Sequence, residues 1–237
     1  MLICDGLTIT QDDFTLRADV TFEAGKLTAL IGPSGAGKST LLSAIGGFLS
    51  PASGRVLWDG QDLTNRSPAE RPVSFLFQDN NLFPHLSALQ NVGLGLRPTS
   101  RLTVAERKQA VAALDAVGLG GFDDRKPAAL SGGQQSRVAL ARVMVANRPV
   151  VLLDEPFAAL GPALKDEMLN LVQQKLLAHK RTVIMVTHDP ADAMAVADQT
   201  ALVAAGEVAQ PVKTGDLFAE PPPALAAYLG ARRSSRP

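Results

Sequence analysis

The sequence predicts an α/β fold: a parallel core sheet, an antiparallel β subdomain and an inserted α-helical subdomain. The core is indicated by short apolar runs, such as 27–31 and 150–153, which are typical of buried parallel strands. Period-two alternation over 16–22 indicates the antiparallel layer, and a helical period between about 103 and 147 indicates the helices. The 237 residues suffice for one core with a small appended subdomain.

The N-terminal part alternates strand and turn signals. A turn is expected at 11–13, and the dipeptide Asp59-Gly60 is expected to close a hairpin. The strands expected in this part cover 7–9, 16–22, 27–31, 55–58 and 73–77.

The C-terminal part begins with helices and returns to strands. One helix is expected from Thr103 to Leu119, with Val104, Val111, Leu114 and Val117 recurring near a 3.6-residue period, and a second runs from about 132 to Asn147. The strands expected later cover 150–153, 183–186, 200–203 and 207–209. We expect one domain over 1–237, in which about 1–85 and 148–237 form the core with its β layer and about 86–147 form the helical subdomain.

A glycine-rich loop lies between the strand at 27–31 and the helix that follows it. Its spacing, G-x-x-x-x-G-K-[ST], is that of a phosphate-binding P-loop, in which backbone N–H groups and the helix N-terminus converge on a polyphosphate. Lys38 would reach the outer phosphates, and the Ser39 hydroxyl would ligate Mg²⁺. A glycine-rich turn that binds nothing is the alternative. The loop consists of Gly32, Pro33, Ser34, Gly35, Ala36, Gly37, Lys38, Ser39 and Thr40.

Polar residues follow three other apolar strands, those at 73–77, 150–153 and 183–186, at the edge of the sheet where ligands bind in such folds. Asp154, at the end of one strand, is expected to hold Mg²⁺, and its neighbour Glu155 to polarise an attacking water. Gln78 is a further candidate, although by itself it would be an ordinary loop glutamine. The histidines at 85, 179 and 188 have no partner at metal-ligand spacing.

Composition excludes several classes of protein. Lys and Arg number 23, as do Asp and Glu, so no basic excess favours a nucleic-acid partner. Arg232, Arg233 and Arg236 form a small basic cluster that is most simply a solvated tail. Cys4 is the sole cysteine, and no stretch approaches a membrane span, so we expect a soluble, cytoplasmic chain.

A second glycine-rich helix start consists of Ser131, Gly132, Gly133 and Gln134. Its exposed N–H groups could form an anion site that closes over a nucleotide held by another copy of the chain. On residue chemistry alone, a capped helix with Ser131 as N-cap is the more economical explanation.

Taken together, these motifs make the sequence resemble the ATP-binding subunits of ABC transporters over nearly its whole length. The resemblance identifies the Walker A loop at 32–40, the Q-loop residue Gln78, the signature motif at 130–134, Walker B with the catalytic glutamate at 150–155, and the switch histidine His188. The resemblance implies a P-loop NTPase core whose helical subdomain carries the signature.

The same resemblance implies partners and roles. ATP with Mg²⁺ would lie between the P-loop of one copy and the signature of a second copy in a head-to-tail dimer. Gln78 would sense the γ-phosphate and Mg²⁺, and His188 would hold the γ-phosphate and the attacking water. The loop around Asn80 to His85 would contact membrane-spanning permease subunits, which places the chain at the cytoplasmic face of the inner membrane.

A narrower resemblance lies in the segments 71–86 and 90–96, which are similar to the ATPases of bacterial thiamine importers. A separate periplasmic binding protein would then deliver the solute. Importers of iron, polyamines or anions are the alternatives, followed by a non-transport ABC ATPase.

Two residues depart from the family pattern. Gly161 stands where the family's D-loop has an aspartate, a change that costs little at a helix start before Pro162 but removes a carboxylate from the expected dimer junction. Gln11 stands near the usual adenine-stacking aromatic. Phe14 is the nearest aromatic residue, and either adenine stacking or core packing would account for it.

Overall fold

The computed structural model describes residues 1–99, 101–177 and 180–234, and side chains as far as residue 230. His179, Arg236 and the side chains of Arg232 and Arg233 lie outside the described residues. The strands of the described chain are β1 (Leu2–Gln11), β2 (Phe14–Phe22), β3 (Leu27–Ile31), β4 (Ser53–Trp58), β5 (Gln61–Asp62), β6 (Val73–Leu76), β7 (Val150–Asp154), β8 (Thr182–Val186), β9 (Gln199–Ala204), β10 (Glu207–Val208) and β11 (Val212–Lys213). Its α-helices are α1 (Lys38–Gly46), α2 (Ala88–Gly93), α3 (Val104–Ala116), α4 (Gly132–Val145), α5 (Pro162–Leu176), α6 (Pro190–Val196), α7 (Thr214–Ala219) and α8 (Pro223–Ser234).

The strands form one continuous sheet with a parallel half and a largely antiparallel half. Its order is β5-β4-β1-β2-β10-β9-β3-β8-β7-β6, with β11 paired to β9. The neighbours β9-β3-β8-β7-β6 are all parallel, whereas β1 pairs antiparallel with β2 and β4. This arrangement confirms the predicted α/β fold with an antiparallel β layer, and it brings the ends of β3, β8, β7 and β6 to one edge.

Both faces of the parallel half are buried. In β7, Val151 and Leu153 pack into the core shared with α2 to α5, while Val150 and Leu152 pack against α1 and the antiparallel layer. Because successive side chains of a strand point to opposite faces, a run of four apolar residues is needed to fill both cores.

Three details of the sequence prediction change in the structure. Between β6 and β7 the described chain has three α-helices instead of two, because the six-residue α2 precedes α3. Val104 is 90% exposed and is therefore not part of the helical core face. Gln11 is the last residue of β1, and the turn is limited to Asp12 and Asp13.

No helix in the described ranges has the length and apolar character required to cross a lipid bilayer.

Candidate active site

The glycine-rich loop runs from the end of β3 to the start of α1, as predicted. Gly32, Gly35 and Gly37 all have positive φ angles, of 151°, 76° and 100°, a region that favours glycine. A Cβ atom at Gly32 would lie 2.0 Å from the Val203 carbonyl oxygen, so no larger residue fits there. A Cβ at Gly35 would meet nothing within 4 Å, so this part of the loop faces open space.

The Lys38 side chain folds back over the loop. Its Nζ donates hydrogen bonds to the carbonyl oxygens of Gly32, at 2.9 Å, and Pro33, at 2.8 Å. Burial lowers the pKa of Lys38, an effect that the nearby carboxylates of Glu155 and Asp154 partly oppose. Among the described residues this ammonium group hydrogen-bonds to neutral carbonyls and to no carboxylate, so it is suited to pair with a polyphosphate.

Ser39 and Asp154 meet at the ends of neighbouring elements. The Ser39 hydroxyl donates to Asp154 Oδ1 at 2.9 Å, although the two residues are 115 positions apart in the sequence. Burial raises the pKa of Asp154, and the Ser39 hydrogen bond partly opposes the rise. A hydroxyl and a carboxylate oxygen side by side are hard oxygen ligands of the kind that Mg²⁺ prefers.

Glu155 and His188 form a pair beside this site. His188 Nδ1 lies 3.1 Å from Glu155 Oε2, and the two side chains are 50% and 23% exposed. Glu155 has a φ angle of 45°, which is unusual for a residue with a side chain. Its N–H donates to the Val186 carbonyl at 3.1 Å, so the strained backbone is anchored to β8.

Further residues that the sequence analysis did not identify support His188. The Tyr228 hydroxyl, from α8, donates to the His188 carbonyl oxygen at 2.7 Å. A cavity of about 340 Å³ lies next to the pair, and Glu155, His188, Leu160 and Lys165 are among the residues that line it. Contacts between such distant parts of the chain leave no local pattern in the sequence.

Gln78 follows β6 in an exposed turn, and among the described residues its side chain forms no hydrogen bond. The loop beyond it is held from α4, because the Arg142 guanidinium donates to the carbonyls of Asn80 and Asn81, both at 2.8 Å. Asn80 and Asn81 both have positive φ angles. Arg142 therefore fixes the loop that Gln78 opens.

The second glycine-rich helix start forms a capping box. The Gln134 N–H donates to Ser131 Oγ at 3.3 Å, and the Ser131 N–H donates to Gln134 Oε1 at 2.9 Å. A Cβ at Gly133 would come within 2.8 Å of Leu160, and one at Gly132 within 4.0 Å of Ala159. Within one chain, this helix start therefore packs on the loop after Glu155, and its nucleotide role stays a prediction.

Phe14 and Gln11 both lie beside the phosphate loop. A Cβ at Gly37 would approach the Phe14 ring to 2.8 Å, and Gln11 Oε1 lies 3.5 Å from the Thr40 hydroxyl. The Phe14 ring also packs against the core on the α1 side of the sheet. Core packing thus accounts for the position of Phe14, and the stacking of its ring on adenine stays a prediction.

Gly161 is the N-cap of α5, with Pro162 as the first helical residue. The N-cap makes no side-chain hydrogen bond, as expected for glycine in place of aspartate.

Known proteins resemble this chain in both sequence and structure. Residues 16–158, more than half of the chain, match a family described as "ABC transporter". The thiamine import ATP-binding protein ThiQ of Cereibacter sphaeroides is 59% identical over 97% of this chain and 100% of its own length. ThiQ of Escherichia coli (strain UTI89) is 47% identical over 92% of this chain and 94% of its own length. A solved ATP-binding cassette, MJ0796, described as dimeric and bound to ADP and Pi after hydrolysis, has a TM-score of 0.81 at 31% identity and covers 90% of this chain and 99% of its own.

Proposed function

The chain belongs to the ABC transporter family, and on that premise we propose that it is the ATP-hydrolysing subunit of an importer that takes up thiamine. The observation that carries the catalytic part of this proposal is the meeting of five side chains at adjacent strand ends. Lys38 and Ser39 follow β3, Asp154 ends β7 and Glu155 comes directly after it, and His188 follows β8.

ATP would bind with its phosphates on the loop 32–40. The N–H groups at the start of α1 and the Lys38 ammonium supply positive charge there, and the open space at Gly35 leaves room for phosphate oxygens. Ser39 and Asp154 would hold Mg²⁺, which when bound neutralises the negative charge that develops on the phosphates. Burial raises the pKa of Asp154, as expected for a carboxylate whose charge a bound cation would balance.

Glu155 would orient and polarise the water that attacks the γ-phosphate. Its carboxylate is 23% exposed, so water reaches it, and His188 beside it would hold the water and the transferred phosphate. Gln78, which is exposed and without a hydrogen bond, is free to turn toward the γ-phosphate and Mg²⁺ when they bind.

A second copy of the chain would complete the site. Ser131, Gly132, Gly133 and Gln134 present a capped helix N-terminus whose backbone N–H groups favour an anion. Within their own subunit, Gly132 and Gly133 lie against Ala159 and Leu160. A phosphate on the opposite copy is therefore the ligand that we propose for them, and the dimeric state of the solved relative supports this arrangement.

The surface that would meet the permease subunits is an aromatic groove of about 230 Å³. Phe48 and Phe83 are 52% and 45% exposed at its rim, and Phe75 and Phe77 stack at 4.1 Å between ring centroids. Exposed aromatic residues are costly in water and favoured at interfaces. The groove adjoins the Asn80–Asn81 loop, so an apolar segment of the permease would sit next to Gln78.

Thiamine is proposed as the solute because thiamine import ATP-binding proteins match nearly the whole length of this chain. Importers of iron, polyamines or anions are the alternatives. The chain would work at the cytoplasmic face of the inner membrane, with a periplasmic binding protein delivering the solute to the permease.

The test is uptake by vesicles that contain this chain and its permease subunits, supplied with the binding protein and labelled thiamine. Wild-type chain should support ATP-dependent uptake, and Glu155→Gln should reduce it at least 100-fold while ATP stays bound, on the order expected for loss of a catalytic base. ATP-dependent uptake of another solute, with none of thiamine, would refute the choice of solute. Wild-type turnover by Glu155→Gln would refute the mechanism.

A further inference from the structure

Lys165 lies near the start of α5 and reaches the segment that follows β8. Its Nζ lies 3.0 Å from Asp189 Oδ2 and 2.5 Å from Asp192 Oδ1. The Lys165 side chain is 21% exposed and that of Asp192 is 10% exposed. Ion pairs that are partly buried in this way are screened by salt much less than surface pairs.

The position of Lys165 is not explained by the helix that carries it. A cation near a helix N-terminus is unfavourable, because the helix dipole is positive there. The first turn of α5 has no acidic residue, and its N-cap, Gly161, makes no side-chain bond. Burial by itself would lower the pKa of Lys165, but hydrogen bonds from its ammonium to Asp192 and Asp189 raise it overall. The two carboxylates therefore account for a charged lysine at this place.

The same carboxylates hold the backbone on both sides of His188. Asp192 Oδ2 accepts a hydrogen bond of 2.7 Å from the Thr187 hydroxyl, and that hydroxyl accepts one of 3.1 Å from the Asp189 N–H. The neighbours of His188 in the chain, Thr187 and Asp189, are thus joined to each other and to Lys165.

The chain closes this network into a ring that includes Glu155. After Glu155, the backbone turns through hydrogen bonds from the Ala158 N–H to the Glu155 carbonyl, at 3.3 Å, and from the Leu160 N–H to the Phe157 carbonyl, at 3.0 Å. The chain then enters α5, and the path returns through Lys165, Asp189 and His188 to Glu155. Glu155, Lys165 and His188, which belong to this ring, line the cavity of about 340 Å³.

From this closed path we infer that Lys165 is a positioning residue, which holds His188 against Glu155 and ties the pair to the loop at 158–161. Gly161 has no side chain with which to make that connection, and Lys165, one turn later, makes it. The inference rests on the proposed function, because the position of the pair affects turnover only if ATP is hydrolysed there.

The test compares Lys165→Met and Lys165→Arg with wild type in the assembled complex of the full-length chain and its permease subunits. Methionine keeps the length of the side chain without the charge, and arginine keeps the charge. Lys175→Met is the matched control, because Lys175 lies in the last turn of the same helix and is exposed. Steady-state ATP hydrolysis gives kcat and KM, and thermal unfolding reports folding.

Lys165→Met should lower kcat about tenfold or more, since a misplacement of about 1 Å in catalytic groups costs up to about 100-fold. KM for ATP should stay within about twofold, because the phosphate loop is untouched, and Lys165→Arg should recover most of the rate. If Lys165→Met fails to fold, Asp192→Asn tests the same contact, because asparagine keeps the shape of the aspartate side chain and removes the charge that pairs with Lys165. An unchanged kcat in Lys165→Met, or in Asp192→Asn where that variant replaces it, would overturn the inference, and so would a Lys165→Arg variant as slow as Lys165→Met. Absence of hydrolysis by wild type would instead refute the proposed function.

Discussion

Replacing Arg71 by methionine should destabilise the protein more than any ordinary surface change. Arg71 is 2% exposed, and all of its hydrogen-bond partners among the described residues are main-chain carbonyls. Nη1 donates to the Ala44 and Ile45 carbonyls at 2.8 Å, while Nη2 and Nε donate to Thr64 at 2.9 Å and Arg66 at 3.0 Å. One guanidinium thus caps the C-terminal end of α1 and holds the chain before β6.

The expected loss follows from these four hydrogen bonds. Hydrogen bonds to a charged group contribute about 1.5–3 kcal/mol each, so their sum of about 6–12 kcal/mol is an upper limit. Burial of the guanidinium, which lowers the pKa of Arg71, offsets part of that sum. We therefore expect Arg71→Met to lower the free energy of unfolding by about 3–5 kcal/mol, the loss typical when one partner of a buried charged network is removed.

Urea denaturation of the nucleotide-free protein, followed by circular dichroism, measures this loss. In a separate thermal melt, the melting temperature should fall by about 6–20 °C, at about 2–4 °C per kcal/mol for a chain of this size. Arg137→Met is the control, because Arg137 also binds main-chain carbonyls, but only those of Val117 and Gly118. A loss smaller than about 1 kcal/mol, or one no larger than that of the control, would refute the reasoning.

Three other predictions concern the site. Asp154→Asn should stabilise the nucleotide-free protein at neutral pH. Because the folded state raises the pKa of Asp154, the free energy of unfolding of the wild type falls as the pH rises from the ordinary aspartate pKa through the folded pKa. Unfolding measured across that pH range should show this fall in the wild type and not in the variant. Gly32→Ala should cost on the order of 3 kcal/mol, since its Cβ would lie 2.0 Å from a backbone oxygen, and a melting temperature equal to wild type would contradict this. Arg142→Gln should free the Asn80–Asn81 loop and so lower the ratio of solute uptake to ATP hydrolysis by about three- to tenfold. An equal loss in the uptake and hydrolysis assays would exclude a coupling role for Arg142.

The parts of the fold that the sequence predicts are those with a local cause. Four apolar residues before Asp154 require a strand buried on both faces, and the glycine spacing at 32–37 requires a loop with positive φ angles. The sequence does not predict α2, because six residues hold too few apolar repeats to show a helical period. The helical period places Val104 on the core face, but a residue in the first helical turn can continue the period and still extend beyond the core, as Val104 does.

The contacts of the site were beyond prediction from local patterns. Asp154 meets Ser39, His188 meets Glu155, and Tyr228 supports His188 only because the sheet order brings distant strands together. The roles of Gln78 and of the helix start at Ser131 depend on a nucleotide and a second chain. They remain predictions of the family resemblance.

The left-handed backbone at Glu155 has a consequence for protein engineering. Glycine would relieve a φ angle of 45° that costs a residue with a side chain about 1–2 kcal/mol, while the proposed hydrolysis requires the carboxylate. A library screened for thermal stability alone would therefore enrich glycine at this position and lose activity. Stability-guided redesign of this chain has to keep position 155 fixed.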